Sequence, residues 1–211
     1  LNVVLAFDLS ESVAGEGLVQ LQRASAALMD ALTPDDQAAL VTFNQKVRLA
    51  SALSTDRRAI VDALDVGSAS GSTSLADGIY AGITVGESAP GRSLLIVFSD
   101  GVDITSWLTD TRLADTAKRS DVVIYGATTR SRVKPELLKE LTALTGGHLY
   151  EVDRIQDLRE TFLSILSEFR ARYLLNYSAT GVADTGWHTL QVRVKGRRAT
   201  VRARPGYLAG P

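Results

Sequence analysis

Cysteine is absent from this chain of 211 residues, methionine occurs once and histidine twice. Without cysteine there is no disulfide framework, no thiol nucleophile and no thiolate metal site, although the compartment stays open because many exported bacterial proteins also lack the residue. His148 and His188 are far apart and lack the spacing of a metal pair, so both are expected as turn or surface residues. Charge of one sign is also missing. With 23 Lys and Arg against 24 Asp and Glu, the net charge is -1, which gives no global attraction to nucleic acid or to an anionic membrane. No apolar run approaches the roughly 20 residues of a membrane span, and no signal-peptide pattern is present. Direct membrane insertion is therefore not expected. Internal repeats and low-complexity tracts are lacking as well.

What is present suits a compact domain. Hydrophobic residues make up 45%, and a chain of this size buries roughly 70% of the surface it exposes when unfolded. Leu1 to Phe7 is an apolar run broken only by Asn2, the pattern of a strand buried on both faces of a parallel sheet. A chain starting inside what reads as the central strand is expected to be a fragment of a longer protein. Helix is predicted over Gly17 to Leu32, strand over Ala38 to Phe43, and an antiparallel edge strand over Val47 to Leu53, because the Asn44-Gln45-Lys46 link is too short for a crossover. Helices at Asp56 to Leu64 and Leu75 to Val85, strand Leu94 to Phe98, helix Thr111 to Arg119, strand Val122 to Ala127, helix Lys134 to Thr145, strand His148 to Val152 and helix Ile155 to Arg170 follow. The alternation predicts an α/β fold: a doubly wound, mostly parallel central sheet with one antiparallel edge strand and helices on both faces.

Asp8-Leu9-Ser10-Glu11-Ser12 lies directly at the carboxyl end of the first predicted strand. That end of an open α/β sheet is where ligands bind, in the crevice between the loops. An acid and two hydroxyls at i, i+2 and i+4 form a hard, oxygen-only donor set that favours Mg2+ or Mn2+ over Zn2+ and copper, with Ca2+ ranked lower but open. The plain alternative is capping of the helix that begins near Val13. Two further segments end in the same region. Gly71-Ser72-Thr73-Ser74-Leu75 presents a threonine oxygen just before a predicted helix, and Ser99-Asp100-Gly101 puts a second carboxylate after the apolar run Leu94 to Phe98.

The set Asp8, Ser10, Ser12, Thr73 and Asp100 resembles the metal-ion-dependent adhesion site of the von Willebrand factor type A superfamily, whose pattern is D-x-S-x-S, a later T and a later D. The resemblance implies a Rossmann-like fold and a divalent cation touched by the two serines and the threonine, with the two aspartates often acting through water. It further implies a protein partner that presents an Asp or Glu side chain to the cation. A secreted, periplasmic or cell-surface location is inferred from the same resemblance, with a cytoplasmic one as the alternative. The middle variable position is often Gly in the family; here Glu11 adds a charge beside the site, either tuning affinity or facing solvent. Asp103 and Trp107, on the loop Gly101 to Asp110, are candidate partner contacts together with Glu11; for Trp107 the competing expectation is packing against the following helix.

Catalysis is the main competing class, since a strand-end Asp with magnesium also suits phosphoryl transfer or hydrolysis. The parts for it are lacking: no G-x-x-x-x-G-K-[ST] loop, no strand-end D-x-D, no G-x-S-x-G elbow and no evident Ser-His pair. A metal-free structural scaffold is the third class.

The domain is expected to span 1–170, and 171–211 to form a C-terminal antiparallel β extension. There Tyr173 to Tyr177, Thr189 to Lys195 and Ala199 to Arg204 alternate with period two between Gly-containing turns. The ending Arg202-Ala203-Arg204-Pro205-Gly206-Tyr207 is similar to that of the acidobacterial VWFA-related family, which implies a β-rich subdomain. Arg193, Lys195, Arg197, Arg198, Arg202 and Arg204 read as the solvated side of a hairpin. The sequon Asn176-Tyr177-Ser178 falls within a predicted strand and carries no assignment.

Overall fold

The computed structural model describes residues 1–100, 102–130, 135–196 and 198–210. Gly101, Lys134 and Arg197, which belong to segments singled out above, lie outside the described residues. A six-stranded sheet forms the centre: β1 (Asn2–Asp8), β2 (Gln37–Phe43), β3 (Val47–Ser54), β4 (Ser93–Phe98), β5 (Val123–Thr129) and β6 (Leu149–Val152), in the spatial order β3-β2-β1-β4-β5-β6. Only the β2–β3 pair is antiparallel. The expected sheet, including its antiparallel edge, is therefore borne out.

β1 shows why its apolar run is continuous: every residue in it is buried. Val3, Leu5 and Phe7 point into one core, with helices α1 (Glu16–Asp30), α2 (Arg57–Asp65) and α6 (Leu158–Arg170). Val4 and Ala6 point into the other, with α3 (Leu75–Gly86), α4 (Asp110–Arg119) and α5 (Glu136–Thr145). A period-two strand between two helical layers has no face to give to water; the one polar residue before Asp8, Asn2, is buried with its amide donating to Ala89 O and Pro90 O. On the second face α3 lies unusually close to the sheet. A Cβ at Gly78 would stand 2.4 Å from the Phe43 ring, and one at Gly82 2.7 Å from Leu95 Cδ1.

β1 lies between β2 and β4, and the chain winds outward in both directions from it. This is the switch point at which loops diverge and leave a crevice. The register Phe7↔Phe98 sets Asp8 beside Ser99, and Asp8↔Phe43 aligns it with the end of β2.

The tail departs from expectation. None of the three period-two runs forms a strand as predicted; the only strands described after α6 are β7 (Gly186–Thr189) and β8 (Gly206–Ala209), paired antiparallel. Alternation is necessary for a half-buried strand but does not supply the neighbour whose backbone must complete the ladder. Tyr173 to Tyr177 has no such neighbour and lies exposed. His188 is in β7, stacked on Tyr207 at 5.0 Å, and so is not a turn residue.

Candidate metal centre

The expected set comes from three loops: Asp8, Ser10 and Ser12 follow β1, Thr73 precedes α3 and Asp100 follows β4. Asp8 is the last residue of β1 and fully buried. Its Oδ1 accepts the Ser10 backbone N–H at 2.8 Å, and its Oδ2 accepts the Ser99 hydroxyl at 2.6 Å. The first of these turns the chain sharply, which places Ser12 back over the strand end. Ser10 Oγ and Ser12 Oγ share a hydrogen bond of 3.1 Å, and Ser12 Oγ donates to Asp100 Oδ1 at 2.8 Å. A continuous polar chain thus joins the ends of β1 and β4. Its side chains do not cap a helix: neither the 3-10 turn Glu11–Val13, which Ser10 precedes, nor α1 has a side-chain cap bond.

Thr73 is brought to the same loop cluster through the backbone. The Glu11 N–H donates to Gly71 O at 3.0 Å, and the Ser70 N–H to Leu9 O at 2.8 Å, which staples the threonine loop to the Asp8 loop. Gly71 has φ +78°, a left-handed conformation that favours glycine. On its far side the Thr73 carbonyl accepts the N–H groups of Ile104 at 2.9 Å and Thr105 at 3.2 Å. Thr73 is buried.

The electrostatics are one-sided. Burial pushes the Asp8 carboxyl up; the hydrogen bonds from Ser99 and Ser10 oppose that, and the nearby Asp100 charge adds to it. Among the described residues no basic side chain acts on it, and neither Asp8 nor Asp100 is in an ion pair there. Two carboxylates, one fully buried, therefore face each other through serine hydroxyls without a counter-charge among the described residues. Such an arrangement is costly unless a cation joins it. The donors are all oxygen, and among the described residues no group of three or more His, Cys, Asp or Glu side chains gathers to offer another metal site.

Around this centre, Glu11 is exposed and Trp107 is 95% exposed, so the tryptophan does not pack against α4. Asp103 is occupied otherwise: its Oδ2 accepts the Ala76 N–H at 2.8 Å and its Oδ1 the Ser106 N–H at 3.1 Å, which fastens the 102–108 loop to the start of α3. Asp77 does the reciprocal work, accepting the Trp107 and Leu108 N–H groups at 3.0 Å each. Ser99 and Asp77 carry roles that the sequence did not single out. Ser99 had a visible signal, since a polar residue directly after an apolar strand and level with Asp8 must share its surroundings. Asp77 had none beyond its position in a first helical turn.

The family model for the von Willebrand factor type A domain matches residues 2–163. The chain belongs to this family. Among solved structures, this von Willebrand factor type A domain is similar to a von Willebrand factor type A protein from Catenulispora acidiphila at 18% identity and a TM-score of 0.70, covering 77% of this chain and 41% of that one. An aerotolerance-related membrane protein from Bacteroides fragilis matches at 14% identity and 0.65, covering 80% and 99%. Proximal thread matrix protein 1 from the mussel byssus, solved with a zinc-occupied MIDAS motif, matches at 17% identity and 0.68, covering 80% and 45%. The chain thus spans less than half the length of two of these three relatives. At these identities the likeness speaks for the fold. A comparison with curated proteins gave no match.

Proposed function

We propose that this von Willebrand factor type A domain holds a divalent cation at Asp8, Ser10, Ser12, Thr73 and Asp100 and uses it to engage a carboxylate of a protein partner. The buried Asp8 carboxylate, which no basic side chain among the described residues meets, is the observation that carries this reading. The hydroxyls of Ser10, Ser12 and Thr73 would contact the ion, while Asp8 and Asp100 would hold those hydroxyls and balance the charge. Neutral donors leave a dication short of negative charge and ready for an outside carboxylate. Mg2+ and Mn2+ suit the oxygen set best; Ca2+ remains a candidate, and the zinc-occupied motif of the byssus protein makes Zn2+ a competitor to include.

The exposed Glu11 and Trp107 are the proposed partner contacts, with Trp107 as an aromatic anchor. Asp103, whose two oxygens are already engaged, shapes the rim and meets the partner only at its edge. Residues 1–170 form the binding domain and 171–211 an appended β extension. The family consists of interaction modules, and a binding rather than catalytic role fits the site, which has a cation cradle and, among the described residues, no nucleophile–base pair. A location outside the cytoplasm accords with the membrane and byssus proteins among the relatives.

Titration calorimetry of the metal-stripped protein with Mg2+, Mn2+ and Zn2+, beside Asp8→Ala, tests the cation site. Saturable binding by the wild type that is lost in Asp8→Ala is expected. Equal binding by both proteins would sink the assignment. Thr73→Ala should weaken affinity for a carboxylate partner more than affinity for the metal.

A further inference from the structure

Charge is divided unevenly along this chain. Residues 1–170 carry 16 Lys and Arg against 23 Asp and Glu, a net of -7, whereas residues 171–211 carry seven against one, a net of +6. Topology sets part of the acidic share at the cation end. Five of the six strands run parallel, so α1, α3, α4, α5 and α6 all begin at the carboxyl ends of the strands. Their first turns carry Glu16, Asp77, Asp110, Glu136 and Glu160, as helix N-termini favour; Glu136 and Glu160 pair with Lys139 and Arg159, whereas Glu16 and Asp110 have no ion pair among the described residues. Glu11 and Asp100 add to the same rim.

The tail is the complement of that rim. Arg193, Lys195 and Arg198 are exposed, and among the described residues none is in an ion pair. Tyr173, Leu174 and Leu175 lie 91%, 71% and 65% exposed, an apolar surface of the kind that marks an interface. The only carboxylate side chain after Arg170 is Asp184, exposed on the turn that enters β7. A strongly acidic partner would meet like charge at Glu11, Glu16, Asp100 and Asp110. A single carboxylate set in a basic segment satisfies both the cation and its surroundings.

The tail is fixed at the other end of the domain. Arg202 Nη1 bonds both Glu168 oxygens at 3.0 Å near the close of α6, and Arg204 Nη2 donates to Lys118 O at 2.7 Å at the close of α4. These helix ends lie at the amino-terminal edge of the sheet, opposite Asp8, so the tail is held away from its own cation site. We infer that the carboxylate partner is a second copy of this chain: Asp184 of one copy reaches the cation of the next, and the basic tail lies along the acidic rim. This rests on the proposed cation site. Because the two surfaces differ and lie at opposite ends, the contact is head-to-tail and propagates.

Sedimentation of the full chain with Mg2+ or with EDTA tests this, beside calorimetry of the same samples. Association with Mg2+ that reverses in EDTA, weakens in high salt, and weakens at least about tenfold in Asp184→Asn, is expected. Asp184→Asn should still take up Mg2+. Mixing Asp8→Ala, which keeps the tail, with Asp184→Asn, which keeps the site, should give a complex of twice the monomer mass that grows no further. If calorimetry shows Mg2+ binding but the wild type stays monomeric, or associates equally in EDTA or as Asp184→Asn, the self-association is wrong and the cation site stands. If Mg2+ does not bind, both fall.

Discussion

Replacing Asp8 by Asn separates the cost of the buried charge from its use. The amide is nearly isosteric, its oxygen can keep the Ser10 N–H, and its NH2 can donate to the Ser99 hydroxyl, which rotates to accept. What is removed is a charge that burial disfavours and Asp100 repels. A carboxyl whose folded-state pKa is raised lends stability below its ordinary value and loses it as the pH rises through the folded-state value. At neutral pH the metal-free wild type therefore carries a penalty that Asp8→Asn lacks. Metal-free Asp8→Asn should melt no lower than metal-free wild type at pH 7, and its advantage should fade as the pH falls below the ordinary carboxylate range. A cation reverses the order. At a free concentration about 100 times its Kd a ligand stabilises the folded state by about 2.7 kcal/mol, which for 150–250 residues raises Tm by roughly 5–11 °C. Wild type should gain that rise with Mg2+ or Mn2+, and Asp8→Asn should not. Differential scanning fluorimetry with and without EDTA reads both effects. An equal cation-induced rise in the two proteins would refute the site, and a metal-free Asp8→Asn less stable by more than about 1 kcal/mol, the scale of one lost hydrogen bond, would refute the reasoning about burial.

Ser99→Ala leaves Asp8 Oδ2 without its 2.6 Å donor and should weaken cation affinity about 10- to 100-fold, measured by calorimetry. Gly78→Ala gains up to about 1 kcal/mol of helix propensity but drives a methyl to 2.4 Å from the rigid Phe43 ring, so a net loss of about 1–2 kcal/mol is expected in urea unfolding. Gly82→Ala meets only the movable end of Leu95 and should cost less. Burial pushes the Asp36 carboxyl up, but the Thr33 N–H and hydroxyl and Arg170, at 2.6 Å, outweigh it and hold it down at about 2. Its contribution of about 2 kcal/mol is present above pH 4 and lost as the pH falls toward 2. Asp36→Asn should thus be clearly less stable than wild type at pH 7 and nearly equal to it at pH 2, by urea unfolding at both values.

The sheet was legible because its constraint is local: a strand between two helical layers is apolar almost throughout, as Leu1 to Phe7, broken only by Asn2, and Leu94 to Phe98 show. The convergence of the Asp8 and Asp100 loops followed from the same fact, since two interior parallel strands end at one edge. The bonds that fix the loops were not legible. Asp77 and Asp103 bracket the 102–108 loop against α3, and nothing in their spacing distinguishes such a bracket from ordinary first-turn and loop acids. The tail failed for the converse reason. Tyr173 to Tyr177 and Ala199 to Arg204 have strand composition, yet strand formation is a property of a pair, and only Gly186–Thr189 and Gly206–Ala209 find each other. Residues with strand chemistry left without a strand, beside three exposed cations and one carboxylate, are the part of this chain whose sequence is least explained by its own fold and best explained by a surface outside it.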